Sequence, residues 1–504
     1  MNKHSYSVFI FVFLLFNAVL SQKLLKGPYL LEPGSTDMTI RWELSDSVSC
    51  FIRYDESKQQ PARLRGKKDK AFLYEVQLTA LQPAKKYVYR ISCSTKDIAS
   101  SWFKTFSSKD ENIHFVAMGD SRSHPDIFKT IIQQVQEDEP DFVISMGDLV
   151  ADGGDYEQWG KYYFDVAAPL INHIPLVSCL GDHETGLDDG ELFRYFLRKK
   201  EVTGKQWFSF DYGNAHFVAL DYRHAENPEM IDWFKKDMQQ TNAKWKFVYM
   251  HRPCYNLGGH RSHWGREVWP ALFSEYKIDL VFAGHSHIYE RFYPLRPDSL
   301  PFGWPVTYIT TGGGGAGLYD VTQGDFLAKA ESVNHYVNIW LYGDTLRLQA
   351  RRMDGTILDK MIIIKSDNSY DDSYLAEIKS QDHLDLLTMF MKAISRSISK
   401  VPLYSKPAKI NIELKSNIRQ NIAFHIGLSD SSKTYYQAET LSGTLNKGMR
   451  FKARLPVFRK AEIRISPWGD MQPPLRLKAV FSMDGREETI LGGAIEYWPD
   501  DEDY

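Results

Sequence analysis

Five short apolar runs in this chain each stop at a side chain that could bind a metal ion. HFVAMGD ends at Asp120 and DFVISMGD at Asp148; PLVSCLGDHE carries Asp182 and His183; WKFVYMH ends at His251; DLVFAGHSH carries His285 and His287. One such ending would mean little. Five, all in Asp and His, place a metal site along the carboxyl edge of a sheet, where open α/β sheets bind their ligands. Mixed carboxylate and imidazole donors suit zinc, manganese or iron. Two such ions, bridged by one carboxylate, can bind a phosphoryl group, make a hydroxide at mild pH and stabilise the charge of an in-line displacement. The expected chemistry is metal-assisted hydrolysis of a phosphoester.

The elements that must position these residues follow from periodicity. Between about 112 and 366 strands alternate with helices, a layered α/β pattern. Pro125 opens a helix whose face holds Ile127, Phe128, Ile131, Ile132 and Val135; a second helix holds Met230, Trp233, Phe234 and Met238. The segment closes on antiparallel strands with turns at Gly343-Asp344 and Asp354-Gly355. Before it, MTIRWEL, CFIRYD, YEVQLTAL and KYVYRISC alternate at period two, so residues 23–108 are expected to form an immunoglobulin-like or fibronectin-like β-sandwich. Residues 367–399 read as a linker and helix, with SDNSYDDSY as the polar linker and Leu387, Met391 and Ile394 on one helix face. Alternating strands return after 400, as in Ile410, Ile412 and Leu414, so 400–504 is expected to be a β-rich domain ending in the solvated tail DDEDY.

The order GD, GD, GDHE, a lone His after a strand, then GHSH resembles the calcineurin-like metallophosphoesterases. GPYLLEP, WFSFDYGNAHFVALD, VYMHRPCY and AGHSHIYER narrow the likeness to purple acid phosphatases, over about residues 25–366. The resemblance implies a four-layer α/β phosphoesterase sandwich flanked by the two β-rich regions. It implies a first metal held by Asp120, Asp148 and His287, and a second by Asp148, Asp182, His251 and His285, with Asp148 bridging. His183 would help position and protonate the phosphoester, and His260 would contact substrate, with His263 close by.

Three positions depart from the family pattern. Where purple acid phosphatases carry a ligand Tyr, this chain has Ala151, so their tyrosinate chromophore is missing. Where other calcineurin-like enzymes place a His, it has Arg122, so the first metal lacks a fourth protein ligand under either pattern. Arg122 is expected to hold phosphate oxygens bidentately, or else to pair with Asp120, Asp152 or Asp155. The usual Asn of the third motif is Asp182, which restores three anionic ligands and shifts charge toward the second metal.

The remaining features bound the reading. The chain has 504 residues, enough for several cores, and a net charge of −3, which gives no argument for nucleic acid as partner. Lys3 followed by the apolar run from Val8 to Leu20 reads as a signal peptide over 1–21. No cysteine stands directly after the cleavage site and no later stretch is apolar enough to span a bilayer, so the expected location is secreted or periplasmic. Cys50 and Cys93 would face each other if their strands pair antiparallel, making a disulfide feasible; Cys179 and Cys254 read as small buried hydrophobes. Gly312–Gly315 lacks the Lys-Ser/Thr of a P-loop and is expected to form a tight loop near the site rim. Trp264, Trp269 and Tyr255 read first as core aromatics. The expected protein is an exported phosphohydrolase with a binuclear metal site, cleaving small phosphomonoesters. A diesterase or nucleotide hydrolase on the same site is the rival within enzymes, and a catalytically impaired binding protein the rival outside them.

Overall fold

The computed structural model describes residues 23–55, 57–107, 112–186, 189–198, 205–366, 369–395, 408–416, 418, 420–460 and 475–492. The segment 1–21, expected to be a signal peptide, and the tail DDEDY lie outside the described residues.

The period-two runs of the first hundred residues become two four-stranded antiparallel sheets. One joins Leu24–Leu31, Met38–Leu44, Ala71–Leu78 and Arg63–Lys68; the other joins Lys58–Pro61, Cys50–Tyr54, Lys86–Cys93 and Lys96–Lys104. Their inward residues, among them Ile40, Trp42, Ile52, Val76, Tyr89 and Phe103, share one core. Cys50 and Cys93 are register partners and form a disulfide.

Two seven-stranded sheets follow. In the first, Leu176–Ser178, Phe142–Ser145 and Asn112–Met118 run parallel, and His335–Tyr342, Thr345–Arg352 and Ile357–Ser366 extend the sheet antiparallel. In the second, Ala215–Ala219, Trp245–Met250, Leu280–Ala283 and Thr307–Thr311 run parallel. The sheets face each other through Phe115, Phe142, Phe217, Phe247 and Phe282. Alternate residues of the same strands, such as Val116, Met118 and Val143, pack outward under helices Pro125–Asp138 and Asp165–Ile171. Helices Pro228–Gln240 and Trp269–Glu275 cover the other sheet. Four layers result, helix on sheet on sheet on helix. Burial on both faces is why the ligand-bearing strands read as continuous apolar runs.

His216 ties a covering helix to its sheet. Its ring lies between Asp211 at 2.6 Å and Asp237 of helix Pro228–Gln240 at 2.9 Å. Burial opposes a charge here, but the two carboxylates win and raise its pKa to about 9. Because the folded value exceeds the unfolded one, the ion pair contributes fully below the ordinary histidine pKa and is lost as pH rises through about 9. His216→Gln should therefore cost about 2 kcal/mol near pH 6, less than the full shift implies because Asp211 is exposed and screened. By about pH 10 the cost should largely vanish. Denaturant titrations at the two pH values check this; an equal cost at both would exclude a charged His216.

The described residues of the expected polar linker are folded. Ser369–Tyr370 pairs with the end of Ile357–Ser366, and Asp372–Leu375 is a short helix. The tyrosines set this apart from a linker. The Tyr370 hydroxyl bonds Asp279 and accepts from Trp304 Nε1 at 2.8 Å, and the Tyr374 hydroxyl bonds Thr307. Helix Gln381–Ser395 also buries more than the one face expected: Leu384, Leu386, Leu387, Phe390, Met391 and Ile394 are all inside. A helix that buries apolar residues on more than one face sits between two layers. Here those are the loops at Leu257 and Gly324 and the final sheets. Those sheets are three-stranded (Ala408–Lys415, Arg450–Arg459, Tyr436–Ala438) and four-stranded (Leu441–Leu445, Ile422–Leu428, Leu477–Met483, Arg486–Leu491).

Candidate metal centre

All five ligand runs end at one edge of the facing sheets, and the backbone turns there so that the ligands converge. Asp120, Asp148 and His285 have φ of 59°, 55° and 65°. This left-handed region is tolerated better by Asp and His than by branched residues, and it collects at functional sites. A glycine stands directly before Asp120, Asp148, Asp182 and His285 and permits close approach. A Cβ on Gly181 would stand 2.4 Å from Asp148 Oδ1, and one on Gly284 2.4 Å from Asp120 Oδ2. The Gly312–Gly315 run is buried against the first ligand loop rather than at the rim: Gly314 N–H donates to Gly119 O at 2.9 Å and Ala316 N–H to Asp120 O at 2.8 Å.

Donor atoms of Asp182, His251 and His285 lie within 4.8 Å of one another, as do those of Asp120, Asp148 and His251. His251 Nε2 stands 3.4 Å from Asp148 Oδ1 and 3.8 Å from Asp182 Oδ2; His285 Nδ1 is 2.9 Å from Asp182 Oδ2. His251 Nδ1 donates to Met146 O at 2.7 Å, which leaves the Nε2 lone pair facing the carboxylates. That Nε2 is buried with no hydrogen-bond partner among the described residues. A buried, unmatched imidazole nitrogen beside two carboxylates fits a metal ion. Asp148, Asp182, His251 and His285 are therefore a donor set of the right chemistry.

The other position differs. His287 Nδ1 bonds Gly317 O at 2.6 Å and its Nε2 is 3.5 Å from Asp120 Oδ1, yet Arg122 reaches across the set. Arg122 Nε donates to Asp148 Oδ2 at 3.2 Å, and a terminal nitrogen lies 3.3 Å from His287 Nε2. Its carboxylate partner is thus Asp148, not Asp120, Asp152 or Asp155, because the chain turns at Asp120 and carries Arg122 N–H onto Asp148 O at 3.1 Å. Burial and the Asp148 charge push Asp120 well above the usual carboxylate range, while Arg122 and the His285 N–H pull it back. Burial, helped by the Arg122 charge, holds His287 down at about 4.

His183 Nδ1 bonds Ala151 O at 2.5 Å, which turns Nε2, 3.8 Å from Asp148 Oδ2, toward the site. The His260 ring stacks on His285 at 4.4 Å, beside a cleft of about 670 Å³ that also takes in Arg261, Tyr319, Asp320 and Lys392. His263 is not so placed: both its ring nitrogens are buried without a hydrogen-bond partner among the described residues. Trp264 and Trp269 are buried and stacked at 5.7 Å, Tyr255 is buried against Tyr308, and Cys179 and Cys254 are buried and free.

Sequence reading passed over three residues. Glu184 is fully buried and accepts from the backbone N–H groups of Asp148 (2.8 Å), Leu149 (2.6 Å) and Gly181 (2.8 Å), clamping the second and third ligand loops together. Burial and the Asp148 charge push it up to about 8 against those bonds. It was legible as the last letter of GDHE. Arg252, directly after His251, grips Asp182 through Nε at 3.0 Å and a terminal nitrogen at 3.0 Å. Burial opposes ionisation of Asp182, but His285, His251 and Arg252 together hold its carboxyl well below the usual range. The negative charge expected to replace the missing tyrosinate is thus already met by a guanidinium. Tyr319, which stacks on His287 at 4.5 Å, had no sequence signal.

Facing sheets with this ligand-bearing edge agree with the family model for calcineurin-like phosphoesterase, which matches residues 113–289. Within that class the similarity is to purple acid phosphatases. The chain is 27% identical over 292 residues to Purple acid phosphatase 23 of Arabidopsis thaliana, covering 48% of this chain and 62% of the relative. It is 24% identical to a second Arabidopsis thaliana protein, named "Probable inactive purple acid phosphatase 1", covering 52% of each. The chain thus spans roughly half to three-fifths of these relatives' length. A purple acid phosphatase from yellow lupin seeds shares the fold, with a TM-score of 0.60 at 20% identity over 68% of this chain and 74% of the lupin chain.

Proposed function

We propose that this protein is an exported, metal-dependent phosphohydrolase acting on small phosphomonoesters. The observation that carries the reading is the buried His251 Nε2, without a hydrogen-bond partner among the described residues, facing Asp148 and Asp182 beside His285. Those four residues would hold a metal ion; Asp120, Asp148 and His287 are the family-type set for a second. A bound metal ion supplies Lewis acidity and an activated water.

The chain's own side chains supply the rest. With Nδ1 held by the Ala151 carbonyl, His183 is oriented to carry a proton on Nε2 toward the leaving oxygen. His260, stacked on His285, stands where it would meet the substrate from the cleft side. Arg122 spends three of the five guanidinium N–H groups on Asp148, His287 and Ser123, and the remaining two would bind phosphoryl oxygens. The disulfide Cys50–Cys93 supports export, since such bonds persist in oxidising compartments. A second reading, a catalytically impaired binding protein, is favoured by one observation: Arg122 lies across two ligands of the first set.

The test is hydrolysis of an aryl phosphate by the full chain before and after chelator treatment, with zinc, manganese or iron restored. Turnover that is lost on chelation, recovers with metal and exceeds that on the matching diaryl diester supports the proposal. Faster diester cleavage would make it a diesterase. No turnover with any metal would leave the binding reading.

A further inference from the structure

We infer that the Arg122 guanidinium takes the place of the first metal ion, so that the centre holds a single ion, at Asp148, Asp182, His251 and His285. This rests on the metal-dependent reading above. The two positions differ in what meets their imidazole lone pairs. At the second, His251 Nε2 is buried and unmatched. At the first, His287 Nδ1 donates to Gly317 O, so Nε2 offers only its lone pair, and Arg122 stands 3.3 Å away as its donor. The same guanidinium takes Asp148 Oδ2, the oxygen turned away from His251. One planar group thus binds two of the three atoms that a first metal would need.

Arg122 is held along its length. Its backbone N–H bonds Asp148 O, a terminal nitrogen bonds Ser123 Oγ at 3.2 Å, and the side chain is 17% exposed. Guanidinium does not deprotonate in proteins, so its charge persists and opposes a divalent cation a few ångströms away. Arg252 does not close the second position in the same way. It grips Asp182 from a side chain 43% exposed and contacts no imidazole nitrogen there, so it can turn to solvent when an ion binds. The first position thereby keeps a fixed positive charge, with two N–H groups left for the phosphoryl oxygens that an ion would otherwise bind.

The experiment is metal content by mass spectrometry on the full chain after equilibration with manganese, with electron paramagnetic resonance on the same samples. The wild type should carry about one ion per chain and show the spectrum of an isolated ion, and Arg122→His should rise to about two with exchange coupling. A wild type with two coupled ions and turnover would overturn the inference and leave the hydrolase reading standing. A wild type with no metal and no turnover would overturn the hydrolase reading itself. An Arg122→His chain that stays at one ion would overturn the claim that the guanidinium excludes the second; Arg122→Ala serves equally if the histidine variant does not fold.

Discussion

Asp148→Ala should lower turnover of an aryl phosphate by about 10³-fold or more and take the bound metal with it. Asp148 belongs to both ligand sets, and its two oxygens face different partners. Oδ1 faces His251 Nε2 and accepts the His183 backbone N–H at 2.9 Å, while Oδ2 accepts Arg122 and lies near His183 Nε2. Removing the carboxylate strips the shared ligand, leaves Arg122 without its acidic partner and frees the loop that carries His183. Losses at one site that acts as a unit are not additive, so Asp148→Ala combined with His183→Ala should be little worse than Asp148→Ala alone. The checks are metal content, initial rates and circular dichroism on the same preparation. Retained metal with turnover within about tenfold of wild type would remove Asp148 from the centre.

The ligands were legible because they follow runs whose composition is fixed by burial on both faces. Asp120, Asp148, His251 and His285 each close such a run, and nothing but position at the edge explains a polar residue there. Helix Pro125–Asp138 was legible for a similar reason: Phe128, Ile131, Ile132 and Val135 keep one period. What escaped depends on contacts between segments far apart in sequence. Tyr370 and Tyr374 sit in a polar stretch, and only their partners Asp279, Trp304 and Thr307 show that the stretch is anchored. Helix Gln381–Ser395 looked one-sided because apolar residues on its other face find their partner only once the final sheets fold against the phosphoesterase layers. Arg122 was legible as an oddity but not as a partner of Asp148 and His287. The turn that places it depends on a backbone bond to a loop 26 positions away.

Glu184→Ala should lower the unfolding free energy by about 3 kcal/mol and weaken metal retention, although Glu184 is not a ligand. Its two oxygens serve three backbone N–H groups within 2.9 Å, two from the second ligand loop and one from the third. These donors are enclosed, and an unmatched buried N–H costs about 1–3 kcal/mol. Alanine would leave them without an acceptor. The substitution would also release Asp148 and Asp182 from their fixed separation, because the clamp joins the two loops on which they sit. Glu184→Gln separates the two effects: its amide keeps one acceptor oxygen but turns an NH2 toward a donor, so it should restore part of the stability and little of the site geometry. Denaturant unfolding and metal content of both variants check this. Wild-type metal affinity in Glu184→Ala would mean that the loops hold their ligands without the clamp.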